Sequence, residues 1–89
     1  MLNIKKFSAT WCVPCKRYDP IITKVVESRD DVTLEKIDIE EFPDLASKYG
    51  VKGVPFTVLE DDEGTVLGGF SGAVTEANLR KIIDRYRAR

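Results

Sequence analysis

The 89 residues carry 14 basic and 15 acidic side chains, a formal net charge of −1, so no overall field draws the chain to nucleic acid or to anionic lipid, and neither is expected as a partner. With 43% hydrophobic and 33% charged residues, four prolines and six glycines, the composition is that of one globular domain over residues 1–89 rather than of a disordered chain. No run approaches the roughly 20 apolar residues of a membrane span, and MLNIKKF passes straight into SATWCVPC without the apolar stretch of an export signal. A cytoplasmic location is therefore expected.

LNIKKF, residues 2–7, reads as a first strand with Leu2, Ile4 and Phe7 as its apolar members. Tyr18, Ile21, Ile22, Val25 and Val26 then recur at helical spacing and predict a helix over about 12–28, with Pro20 inside it as a source of a kink. VTLEKIDI, residues 32–39, is rich in β-branched and aliphatic residues and predicts a second strand. Phe42, Leu45, Ala46 and Tyr49 return to the helical period, with Pro43 early and Gly50 as a C-terminal cap, which predicts a helix of two turns. FTVLE (56–60) and TVLGGF (65–70) flank DDEG and predict a β-hairpin closed by Gly64. Thr75 is placed to cap a last helix whose stripe is Leu79, Ile82, Ile83 and Tyr86, with Val74 and Leu79 as a hydrophobic staple. Its basic residues Arg80, Lys81, Arg85, Arg87 and Arg89 read as a solvated face. The order β-α-β-α-β-β-α predicts an α/β fold, a four-stranded mixed sheet with helices on both faces.

Both cysteines fall in WCVPC, residues 11–15, where the first strand feeds a helix N-terminus at the sheet edge that carries ligands in α/β folds. Three residues apart on a helix, Cys12 and Cys15 can open and close as a disulfide. As a staple the pair is weak, because so short a loop restrains the unfolded chain little. A zinc site or iron–sulfur cluster takes four ligands; with two cysteines and no histidine, one chain completes neither, and only a dimer sharing two motifs would. The redox reading has positive support: unpaired N–H groups and the helix dipole favour a thiolate on Cys12. Cys12 is then the nucleophile and Cys15 the group that attacks the resulting mixed disulfide. Pro14 costs little in the first turn and withholds a donor from the sulfurs, which makes it a redox-tuning residue.

WCVPCK resembles the WCxPCK signature of the thioredoxin family at Trp11, both cysteines, Pro14 and Lys16, and KYGVKGVPFTVL (48–59), Gly72–Ala73 and Pro20 extend the resemblance from about residue 4 to 86. The resemblance implies a minimal, glutaredoxin-sized thioredoxin fold, since the family's extra N-terminal strand and helix have no residues here. It implies reversible dithiol–disulfide exchange with oxidised protein substrates, re-reduction by a flavin-containing, NADPH-dependent thioredoxin reductase, no bound cofactor beyond a redox-active Cys12–Cys15 disulfide, and a monomer. It also implies a cis bond before Pro55, and a substrate-binding surface of Trp11, Val54, Pro55 and Gly72, where Val54 offers its backbone to an extended segment in strand-like fashion.

Two positions depart from the family pattern. Lys6 stands where a buried acid is usual and Lys36 matches the family's neighbouring lysine, so two cations are expected beneath the thiols with no carboxylate between them, stabilising thiolate and raising the reduction potential. The blander expectation for Lys6 is an ammonium extended to solvent. Phe56 follows Pro55 where threonine is usual, either reshaping the substrate groove or packing inward. Two other functions compete: a glutaredoxin-like, glutathione-dependent reductase, suggested by the short length and Gly68–Gly69, and a binding module in which the sulfurs are incidental. Trp11 and the Val13–Pro14 order weigh against the first.

Overall fold

Leu2, Ile4 and Lys6 alternate with Asn3, Lys5 and Phe7 along the first strand, β1 (Leu2–Ser8), so that strand sends two different sets of side chains to the two faces of its sheet. The computed structural model describes residues 1–87. Around β1 the sheet is built in the order β2-β1-β3-β4, with β2 (Val32–Asp38) parallel to β1, and β3 (Phe56–Glu60) and β4 (Val66–Ser71) completing an antiparallel run. The fold is α/β with a four-stranded mixed sheet, as the element order predicts.

On one face Leu2, Ile4, Val32 and Leu59 pack against Tyr18, Ile22 and Val25 of helix α1 (Val13–Glu27) and Leu79 and Ile83 of helix α3 (Glu76–Arg87). On the other, Phe7, Ile37 and Val58 pack against Ala46 of helix α2 (Pro43–Lys48). The apolar stripes predicted for the first and last helices are thus the faces they bury. Pro20 lies inside α1. The second helix is shorter than two turns, six residues, and is closed by Gly50 at φ +68°, a conformation glycine adopts without strain. Strand boundaries differ from the expected ones by a residue: β2 stops at Asp38, and β4 is shifted to Val66–Ser71.

The hairpin turn is held by Asp61, whose Oδ1 accepts the amides of Glu63 and Thr65, both at 2.9 Å, with Gly64 at φ +82° between them. Thr75 caps α3, its Oγ1 accepting the Asn78 amide at 3.2 Å. Of the basic residues on that helix, Arg80 binds Glu76 and Arg87 binds Asp31; Arg89 lies outside the described residues. No described helix is long and apolar enough to cross a membrane.

Candidate redox site

β1 ends at Ser8, and Ala9, Thr10 and Trp11 lead to Cys12, the N-cap of α1 with extended backbone at φ −88°, ψ 107°. Cys12 Sγ accepts the Cys15 amide at 3.2 Å. The first turn of a helix has no internal acceptor for its amides, and here one of them meets the sulfur. Pro14 sits in this turn, where its missing N–H breaks no helical bond. Cys12 and Cys15 form a disulfide, with their Cα atoms 5.2 Å apart.

Both sulfur residues are buried, 4% and 3% exposed, in a small cluster with Ala9, Ile39 and Val54. Around them the surface is apolar and open: Trp11 is 63% and Val13 60% exposed, so Trp11 is no core residue. The Val54 carbonyl oxygen lies 3.7 Å from Cys12 Sγ, Pro55 follows through a cis peptide bond and is buried, and the Pro55 carbonyl accepts the Gly72 amide at 2.8 Å. Gly72 is at φ +89°, the left-handed region that favours glycine. The Val54–Pro55 segment therefore touches the disulfide, and Gly72 is tied to it from the far side of Pro55.

Beneath Cys15 the expected arrangement needs a correction. A carboxylate does stand between the two lysines: Asp19, on α1 one turn beyond Cys15, meets Lys6 Nζ at 2.5 Å and Lys36 Nζ at 3.1 Å. Lys6 and Lys36 are register partners across β1 and β2, a like-charge juxtaposition that is unfavourable unless an anion bridges it. The hydrogen bond from Lys6 holds the Asp19 carboxyl below its ordinary range, with that from Lys36 adding to it against the opposing effect of burial. Nor does Lys6 extend to solvent, being 3% exposed; Lys36 is 45% exposed. The spacing Cys15–Asp19, four residues on one helix, puts the two on one face of α1, but it does not by itself name the lysines as partners. Next to this group Tyr18 Oη and Thr57 Oγ1 lie 3.0 Å apart in the core, and burial pushes the phenol up to about 12.

Phe56 packs with the cluster on the α2 face, among Phe7, Ile37, Ala46 and Val58, which is the packing alternative. Gly68 and Gly69 have structural causes: a side chain on Gly68 would run into the Tyr86 ring, and one on Gly69 would come within 2.9 Å of the Thr57 carbonyl oxygen. Among the described residues no group of three or more Cys, His, Asp or Glu side chains is placed to hold a metal ion.

The sequence model of the thioredoxin family matches residues 2–85, which includes every element of the sheet and the disulfide turn. The chain belongs to the thioredoxin family. Among its curated relatives, thioredoxin-3, mitochondrial, from Saccharomyces cerevisiae is 42% identical over 78 residues, 88% of this chain and 61% of the relative. Thioredoxin H2 from Arabidopsis thaliana is 38% identical over 87 residues, 98% of this chain and 64% of the relative. A mutant thioredoxin from Halobacterium salinarum NRC-1 superposes with a TM-score of 0.88 at 36% identity, covering 96% of this chain and 74% of that one. This thioredoxin-family chain spans 60% of the length of a putative thioredoxin 2 from Streptomyces coelicolor and 61% of the yeast relative.

Proposed function

We propose that this chain is a thiol–disulfide oxidoreductase that reduces protein disulfides as a dithiol. The observation that carries the reading is the Cys12 sulfur at the N-terminus of α1, bonded to Cys15 one turn along and accepting its amide. In the reduced protein a thiolate on Cys12 attacks a substrate disulfide; a Cys12–substrate bond forms and the first substrate sulfur leaves as thiolate. Cys15 loses its proton and attacks Cys12 Sγ, the Cys12–Cys15 bond forms, and the second substrate sulfur leaves and is protonated. Two electrons pass from the dithiol to the substrate.

Trp11, Val54, Pro55 and Gly72 form the docking surface. An aromatic face beside a buried disulfide suits apolar substrate segments, and the Val54 backbone is placed to pair with an extended chain. Pro14, Lys6 and Lys36 tune the couple. An NADPH-dependent thioredoxin reductase returns the electrons, the protein works as a monomer without a bound cofactor, and its compartment is the reducing cytoplasm, where a lone cysteine pair is kept available as dithiol. Catalytic amounts of the protein with dithiothreitol as electron source should reduce the interchain disulfides of insulin. Cys12→Ser should abolish turnover, and an unchanged rate in that variant would refute the reading. Turnover with glutathione and its reductase, but not with a thioredoxin reductase, would reassign the electron donor.

A further inference from the structure

Among the described residues Lys6 is the one buried lysine, 3% exposed. It follows Leu2 and Ile4 onto the α1 face of β1, at the end of the strand where the disulfide turn begins. An ammonium taken out of water is costly without a partner, and this one is met by Asp19 at 2.5 Å. Lys6, Asp19 and Cys15 line one cavity of about 280 Å³, with Ser8, Ala9, Thr10 and Lys16. The charges around it are Lys6 from β1, Lys36 from β2 behind Asp19, and Lys16 and Asp19 from α1. β3 contributes Thr57, whose hydroxyl faces the phenol of Tyr18. Cations outnumber the carboxylate, so the cavity beside Cys15 carries a positive surplus.

Two uses of this cluster compete, and acidity separates them. As a proton acceptor Asp19 is badly matched: an ordinary thiol is a weaker acid than an ordinary aspartic acid by a factor of more than about 10⁴, and the lysines hold Asp19 lower still. As an anchor for a cation Asp19 is well suited, because it stays ionised throughout. We propose that Lys6 is a positioning residue for the resolving cysteine, its Asp19-anchored ammonium being the cation beside which the Cys15 thiolate forms. The inference rests on the exchange reading above. In the resolving step the Cys15 proton passes to solvent at the cavity, the thiolate attacks Cys12 Sγ, and the substrate sulfur departs with the electron pair of the broken bond.

The test follows the reduced protein as it reacts with dithiobis(nitrobenzoate), whose coloured thiolate is released once on attack by Cys12 and again on resolution by Cys15. The second phase is measured against pH. Lys6→Met should raise its inflection by about one pH unit, an approximately tenfold slower resolution at neutral pH, and Lys6→Arg should keep the wild-type profile. Asp19→Asn, which keeps an oxygen to accept from Lys6, should lower the inflection by removing the anion, and it gives the reading even if Lys6→Met fails to fold. Wild-type inflections in both variants would overturn the proposal, whatever happened to their melting temperatures. A wild type without the first phase would instead overturn the exchange reading itself.

Discussion

The amide of Cys15 donates to the sulfur of Cys12 over 3.2 Å, so the two cysteines are coupled through the backbone as well as through their disulfide. An amide so aimed favours an anion on Cys12 once the disulfide opens. Cys15, the third residue of α1, offers its amide to that bond, and its sulfur accepts no such amide among the described residues. This asymmetry predicts that Cys15→Ser will accumulate a mixed disulfide between Cys12 and a protein substrate, visible as a mass adduct, while Cys12→Ser will form none.

Trp11 is 63% exposed and supports little of the core. Trp11→Ala should change stability by no more than about 0.5 kcal/mol, as exposed substitutions do, a shift of about 2 to 4 °C in melting temperature. Reduction of insulin should slow several-fold through KM, with the reaction toward a small aromatic disulfide unchanged. Equal slowing of both substrates would remove Trp11 from the docking surface.

Glu60 is buried, and it accepts Lys5 Nζ at 2.7 Å and Tyr49 Oη at 2.6 Å. Burial alone would push its carboxyl up, but the bonds from Lys5 and Tyr49 outweigh it, and the group lies below its ordinary 4.5. A carboxyl lowered by folding stabilises the native state above its unfolded pKa, and that contribution is lost as pH falls through the folded value. Glu60→Gln should therefore be less stable at neutral pH by about 1.5 to 3 kcal/mol, the range for hydrogen bonds to charged groups. The gap to wild type should narrow steadily below pH 4.5 in urea titrations.

Gly69 lies opposite Val58 in the β3–β4 ladder, and a Cβ there would come within 2.9 Å of the Thr57 carbonyl oxygen. A backbone atom of a central strand has little room to yield. Gly69→Ala should cost about 1 to 3 kcal/mol by overpacking and lower the melting temperature accordingly, despite alanine's smaller entropic cost on ordering.

Much of this was legible in the sequence because period and punctuation agree locally. The stripe from Tyr18 to Val26 and the stripe ending at Tyr86 each mark one buried helix face, and Asp61 to Gly64 is a turn by residue type alone. WCVPC gave its own chemistry, since two cysteines three apart at a helix start leave few alternatives. Asp19 was not legible in the same way. In KRYDP it looks like one more charge on a solvated helix face; its meaning depends on α1 lying across the Lys6–Lys36 register pair, which is a tertiary relation. Phe56 was ambiguous for a similar reason, because the strand's alternation decides its face only once β3 is paired in register with β1.

Exchange at this site depends most directly on the acidity of Cys12. Alkylation of the reduced protein by iodoacetamide, followed residue by residue against pH by mass spectrometry, measures it. The account predicts that Cys12 reacts first, with an inflection clearly below the value near 8.5 of an unperturbed thiol. A Cys12 inflection at or above that value, with Cys15 reacting as readily, would contradict it.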